Sequence, residues 1–205
     1  MGMLFSTPIT TARGILNDTR PSAYRYSTAD LLGYCNDALK ELVALAPEYF
    51  HQEGLLDCEV DSCQQSLPWS DASGLVNILG VVNGNAITPI DRTDLDLFKP
   101  AWQSDIAAPA VHWMKPDTDR VRFTIYPKAP TGQQIRVVYL RTPSVFGIND
   151  DTGLPVTLEP AITDYIIGRA ETRDDEHSNT GRAAAHLAMF KARFTKGVPN
   201  GVQSG

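Results

Sequence analysis

The sequence reads as an α+β protein, a helical bundle built from N- and C-terminal helices with an antiparallel β domain inserted between them. Three observations carry that reading. Residues 28–46 repeat apolar side chains at helical spacing, residues 121–126 and again 135–139 carry apolar side chains at every second position, and helical spacing returns near residue 159. The 205 residues, 42% hydrophobic and 20% charged, have ordinary globular composition and suffice for one core or two compact parts. The expected division puts residues 1–54 and 155–197 in a discontinuous bundle. Residues 55–154 then form the β-rich insertion, and 198–205 a flexible tail.

In the first strong helix, Leu31, Cys35, Ala38, Leu42 and Leu45 make one apolar stripe. Ser27-Thr28-Ala29-Asp30 resembles a capping box, with Ser27 accepting from the Asp30 amide and Asp30 reaching back. Pro47 disfavours helical geometry at Ala46 and ends the run. A shorter helix is expected over residues 10–16, with Ile9, Ala12, Ile15 and Leu16 facing inward, followed by a loop over 17–22.

Short strands are expected from residue 55 to 144. Residues 75–82 and 86–90 flank Asn83-Gly84-Asn85, and Asn-Gly is the pair a tight hairpin turn prefers. Val121, Phe123 and Ile125 alternate with polar neighbours, and Ile135, Val137 and Tyr139 repeat the pattern after a longer loop, which predicts a second hairpin. Helices return with Pro160 at a first helical position, then Ile162, Tyr165, Ile166, Arg169 and Ala170. The last helix, over 181–196, lines up Ala183, Leu187, Phe190 and Phe194, and Gly197 stops it. Neither terminal section can bury its stripe alone, so the two are expected to pack together.

The formal charge of −6 is unevenly spread. After Glu176 there is no acidic residue, while Arg182, Lys191, Arg193 and Lys196 are basic; the rest carries 14 basic and 24 acidic residues. An acidic body argues against general duplex binding, which needs clustered cations for phosphates. The basic end fits either an acidic partner or simple complementation of a helix dipole. No apolar stretch approaches the ~20 residues that span a bilayer, and the start shows no secretory pattern, so a soluble protein made in a cytoplasm is expected.

Local chemistry is sparse. Cys35, Cys58 and Cys63 lack a partner His or Cys pair at zinc-ligand spacing and read as reduced structural thiols. Asp174-Asp175-Glu176 and Asp94/Asp96 are acidic clusters without the spaced ligands and glycine of a calcium loop. His51, His112, His177 and His186 fall in no metalloprotease pattern, and there is no Gly-x-Ser-x-Gly elbow or phosphate loop. No catalytic residue, metal or cofactor is therefore assigned. Trp69, Trp102 and Trp113, with Phe98 and Tyr126, are expected to pack rather than to form a stacking platform.

Four blocks in order resemble the adaptor proteins (head–tail connectors) of short-tailed bacteriophages. They are residues 12–18 with Tyr26-Ser27-Thr28-Ala29-Asp30 through Ala38; residues 87–102 with Ile90-Asp91-Arg92, Leu95-Asp96 and Pro100-Ala101-Trp102; Phe123-Thr124-Ile125-Tyr126-Pro127 with 135–143; and Leu154-Pro155 with 161–176 and 184–190. Residues 55–76 and the tail after Gly197 match nothing in that pattern. The resemblance implies a structural protein of the virion neck. It implies a ring, usually of twelve subunits, that binds the portal protein and joins it to a nozzle or tail component. DNA would slide through an acidic lumen without specific binding, and no membrane is involved. Resemblance and charge together make Arg182, Lys191, Arg193, Phe194 and Lys196 candidates for portal docking. Trp102, Trp113 and Tyr126 are candidates for β-domain packing or a subunit interface. Two other readings compete with the connector: a tail-associated hydrolase of envelope polymers, needing paired carboxylates across a cleft, and a carbohydrate-binding β module using the tryptophans.

Overall fold

The structure, a computed structural model, describes residues 2–115, 118–173 and 179–195. In chain order the helices are α1 (Ser6–Ile15), α2 (Thr28–Leu45), α3 (Arg92–Phe98), α4 (Glu159–Glu171) and α5 (Thr180–Ala192). The strands are β1 (His51–Asp57), β2 (Gln64–Ser66), β3 (Ala72–Val81), β4 (Thr88–Pro89), β5 (His112–Met114), β6 (Arg122–Tyr126) and β7 (Gln134–Arg141). The class is α+β. The chain divides into two compact units, Met1–Tyr49 with Pro143–Gly205, and Phe50–Thr142. These dividing points precede the expected 54/55 and 154/155 for local reasons. Strand β1 starts directly behind the 3₁₀ turn Pro47–Phe50, and residues 143–154 bond back to the N-terminal segment. The Ser6 amide donates to the Ile148 carbonyl at 2.9 Å, and the Met3 amide to the Leu154 carbonyl at 2.8 Å. Asn36 holds both backbone groups of Phe146, at 2.8 and 3.1 Å.

In the helical unit, α4 is the element on which α1, α2 and α5 all pack. Residues 161–168 are buried without a break, as expected of a helix enclosed on every side rather than along one stripe. On α2 the stripe Leu31, Cys35, Ala38 and Leu42 is fully buried together with Leu39, whereas Leu45 at the last turn is exposed. Ser27 accepts from the Asp30 amide at 3.0 Å as a cap should, but the Asp30 carboxylate turns to Arg173 at 3.3 Å instead of closing the box. Helix α1 begins at Ser6, earlier than expected; Ile9, Ala12 and Leu16 face inward, and Ile15 is exposed.

The connection from α1 to α2 is organised by a buried ion pair. The Arg13 guanidinium bonds Asp18 Oδ2 and reaches Thr28 Oγ1 at 3.1 Å, with its flat face 3.6 Å from the Tyr24 ring centroid. Asp18 accepts from the Arg25 amide at 2.8 Å and the Tyr26 amide at 3.4 Å. The side chains are only 9% and 3% exposed, so each charge depends on the other.

In the β unit, β7 lies between β1 and β3, antiparallel to both, and a second sheet runs β2-β6-β5-β4. Its β4–β5 pair is parallel and the other pairs are antiparallel. Both expected hairpins are absent. The Asn83-Gly84 turn forms, closed by the Val81 amide on the Asn85 carbonyl at 3.0 Å, with Asn83 left-handed at φ 56°. The chain then buries Ile87 and enters the other sheet beside β5. Strands β6 and β7 do not pair either, because β6 already has β2 and β5 on its two edges and β7 has β1 and β3. Residues 92–98, expected among strands, form α3, capped by Asp91 accepting from the Thr93 amide at 2.9 Å. One apolar core joins the two sheets through Leu56, Ile78, Ile135 and Val137 from one and Trp113, Phe123 and Ile125 from the other.

Close approach requires glycine at several positions, Gly54 and Gly168 among them. A Cβ on Gly54 would run into the Trp69 ring, which is stacked on Tyr139 at 4.6 Å and 7°. A Cβ on Gly168 would sit 2.6 Å from Leu187 Cγ, where α4 and α5 cross. Gly→Ala in a helix normally stabilises by up to ~1 kcal/mol. At Gly168 the clash reverses that sign: Gly168→Ala is expected to lower unfolding free energy by ~1–3 kcal/mol in urea melts. Adding Leu187→Ala should recover part of the loss. Asp18→Asn strands the Arg13 guanidinium in the core and is expected to cost ~3–5 kcal/mol. The same melts should show the apolar double replacement Arg13→Met with Asp18→Leu recovering much of that loss.

Candidate interaction surface

Four of the five candidate docking residues, Arg182, Lys191, Arg193 and Phe194, lie on or just beyond α5; Lys196 lies outside the described residues. They do not form one free basic face. Arg193 grips α4, donating from Nε and NH2 to Asp164 Oδ2 at 2.9 and 2.8 Å. His186 Nδ1 meets the other Asp164 oxygen at 3.0 Å. Arg182 ties the start of α5 to both Glu171, at 3.3 Å, and the Ile15 carbonyl, at 2.9 Å. Phe194 stands edge-on to Phe190, which is edge-on to Tyr165. Lys191 is exposed and has no ion-pair partner among the described residues.

The carboxylates that bind these cations were not singled out by sequence reasoning. Asp164 and Glu171 are 7% and 4% exposed, and a carboxylate that deep needs a partner. The available signal is Asp164 between Ile162 and Ile166 on an otherwise apolar helix. It reports that a cation must come from elsewhere but not which one.

In the β unit, Trp102 and Trp113 are 3% and 2% exposed and lie in its two apolar clusters. Trp102 Nε1 donates to Asp96 at 2.7 Å, and its ring stands edge-on to Tyr126 at 6.0 Å. Trp113 Nε1 is buried without a hydrogen-bond partner among the described residues. Tyr126 is half-buried. Its hydroxyl accepts from Lys99 Nζ at 2.9 Å and donates to Asp105 at 2.7 Å, while Lys99 and Asp105 form an ion pair. The Asp105 contact, then the Tyr126 contact, raises the Lys99 ammonium pKa; Lys99, then Tyr126, lowers that of the Asp105 carboxyl. The described tryptophans thus offer no pair of open rings for a sugar, since Trp69 is also covered on one face by Tyr139.

Burial raises all three thiols, that of Cys35 to about 12, so a thiolate nucleophile is disfavoured at each. Among the described residues there is no group of three or more His, Cys, Asp or Glu arranged to hold a metal ion. Asp174, Asp175, Glu176 and His177 fall outside the described residues. No described helix is long and apolar enough to cross a membrane.

Among solved structures, the chain is similar to a subunit in the neck of a native GTA particle computed with C12 symmetry. The identity is 16% over 93% of this chain and 92% of that chain, with a TM-score of 0.29. A chain from the virion of a native gene transfer agent particle is 18% identical over the same shares, with a TM-score of 0.31. At these scores the likeness carries no part of the argument. No curated protein matches the chain. The family model for the SU10 adaptor protein matches residues 3–203, nearly the full length and both units. The chain belongs to the SU10 adaptor protein family.

Proposed function

We propose that this protein is a structural adaptor of a virion neck, a subunit of a cyclic homo-oligomer, usually of twelve copies, set between the portal protein and a nozzle or tail component. The observation that carries the reading is the family match over residues 3–203. The chemistry of the site agrees with it. The strongest polar contacts in the helical unit, Arg13–Asp18, Arg182–Glu171 and Arg193–Asp164, tie elements together instead of lining a reactive cleft. A chain with net charge −6 also suits a lumen through which DNA passes without sticking, since like charges repel within a Debye length.

Portal docking through the last helix rests on its exposed side. Lys191, with Lys196 beyond the described residues, is the cation expected to meet an acidic partner. Arg182, Arg193 and Phe194 would hold that helix in place.

Size-exclusion chromatography with light scattering on the protein mixed with its portal is expected to give a complex with about one copy per portal subunit. A monomer that ignores the portal would overturn the reading. Lys191→Glu is expected to weaken portal binding roughly three- to tenfold with an unchanged melting temperature. Arg193→Glu should instead lower the melting temperature, because it places a second carboxylate against buried Asp164.

A further inference from the structure

The two sheets of the β unit have four edges, and three of them are closed to further pairing. Strand β4 has two residues, one of them Pro89, and β2 has three. Strand β3 is long, but its register shifts three times, between Ala72 and Gly74, Leu75 and Asn77, and Ile78 and Gly80. Its outer side is also occupied. The Leu75 amide donates to the Arg120 carbonyl at 2.8 Å, and the Val81 amide to the Asn85 carbonyl at 3.0 Å. Short strands, proline, bulges and covering segments are the usual means by which an edge is kept from pairing with another chain.

Strand β1 has none of these. It runs seven residues in unbroken register with β7. Just beyond its end the Cys58 amide donates to the Gln133 carbonyl at 3.0 Å. Antiparallel pairing alternates, so Gln52, Gly54 and Leu56 turn their backbone groups toward β7, while His51, Glu53, Leu55 and Asp57 turn theirs away from it. Those four are exposed, and their amides and carbonyls have no hydrogen-bond partner among the described residues. The strand itself is firmly seated. Leu56 belongs to the core that joins the sheets, and the Trp69 ring, stacked on Tyr139, lies against Gly54. An open edge on a seated strand is a template for one more strand.

The side chains of the outward four share the sheet face opposite Leu56. Leu55, 58% exposed, stands between Glu53 and Asp57. Asp57 accepts from the neutral Gln134 amide at 2.6 Å, and neither carboxylate has an ion-pair partner among the described residues. Arg136, opposite Leu55 on β7, pairs with neither of them. A strand laid alongside gains by carrying a cation opposite each carboxylate and an apolar residue opposite Leu55.

We infer that β1 receives an extended strand from a different chain of the neck, one that reads basic, apolar, basic at every second position. The inference rests on the adaptor reading, and symmetry then sets a second copy aside. With one open edge per copy among the described residues, edge pairing between copies joins β1 to β1, a two-fold contact that stops at two. A cyclic ring is built from heterologous contacts, which leaves every β1 edge to another chain.

Amide hydrogen exchange over residues 51–57, in the free protein and in assembled necks, tests this. The outward amides of Glu53, Leu55 and Asp57 should exchange quickly in the free chain and at least about tenfold more slowly in the neck. Leu55→Pro removes one outward donor and no bond to β7, so it should cut incorporation into necks about tenfold at a similar melting temperature. Leu55→Thr, which keeps the amide, should incorporate normally. Glu53→Lys with Asp57→Lys should reduce incorporation as well. Should Leu55→Pro fail to fold, the exchange comparison on the unaltered chain decides alone. Equal exchange in free and assembled protein, or normal incorporation of Leu55→Pro, would overturn the inference while leaving the adaptor reading intact. Protection in the free protein that grows with concentration, alongside a dimer by light scattering, would give the edge to a second copy and overturn it too. Absence of the unaltered protein from the neck would remove both readings together.

Discussion

The ion pair between Arg13 and Asp18 decides how the helical unit begins. A guanidinium can satisfy a carboxylate, a hydroxyl and an aromatic face at once because its donors are fixed in one plane. Arg13 does all three, on Asp18, Thr28 and Tyr24. Asp18 uses its remaining capacity on the amides of Arg25 and Tyr26. The end of α1, the whole connection and the first residue of α2 are thereby referenced to two side chains. With α1 and α2 so fixed, their apolar sides converge on α4, the helix enclosed by all the others in the unit.

The same device recurs where α5 joins. Asp164 and Glu171 sit on α4, where an uncompensated charge would be costly, and α5 supplies Arg193, His186 and Arg182 to meet them. These pairs act as specificity elements more than as sources of stability, since an apolar pair of the same shape could serve as well energetically. They fix the rotation and height of α5 on α4, which the small-residue crossing at Gly168 alone would leave less defined. The acidic body and basic end of the sequence are therefore partly an internal lock, with fewer cations left for partners than composition suggests.

Legibility in the sequence follows the range of each interaction. Helix α2 is readable because its cap at Ser27, its apolar repeat and its stop at Pro47 all lie within the segment. The Asn83-Gly84 turn is readable for the same reason, but a turn does not state which strand comes next to which. Pairing in this β unit is set by Ile87 and Phe123 finding a shared core, at separations no local pattern records. Helix α3 escapes notice because seven residues between strand-like neighbours present barely two turns. Trp102 and Trp113 are buried within the β unit, where large aromatic side chains of a small core tend to lie. The partners of Arg182 and Arg193 were not legible, since a cation on an amphipathic helix looks the same whether it faces solvent or a carboxylate from another element. Phe98, grouped with the packing aromatics, is among the most exposed side chains, which only the placement of α3 reveals.

The chain leaves the helical unit at residue 49 and returns at 143, and this has a consequence during synthesis. Helices α1 and α2 emerge from the ribosome first, yet the surface that covers them, α4, is translated only after the whole β unit. At ~5–20 residues per second, the stripe of Leu31, Cys35, Leu39 and Leu42 waits on the order of ten seconds for its cover. The β unit has every strand of both sheets in hand before then, and the adjacency of its first and last strands lets it close without the flanking sequence. The protein is thus built from the inside of its sequence outward, with the earliest helices being among the last to find their place.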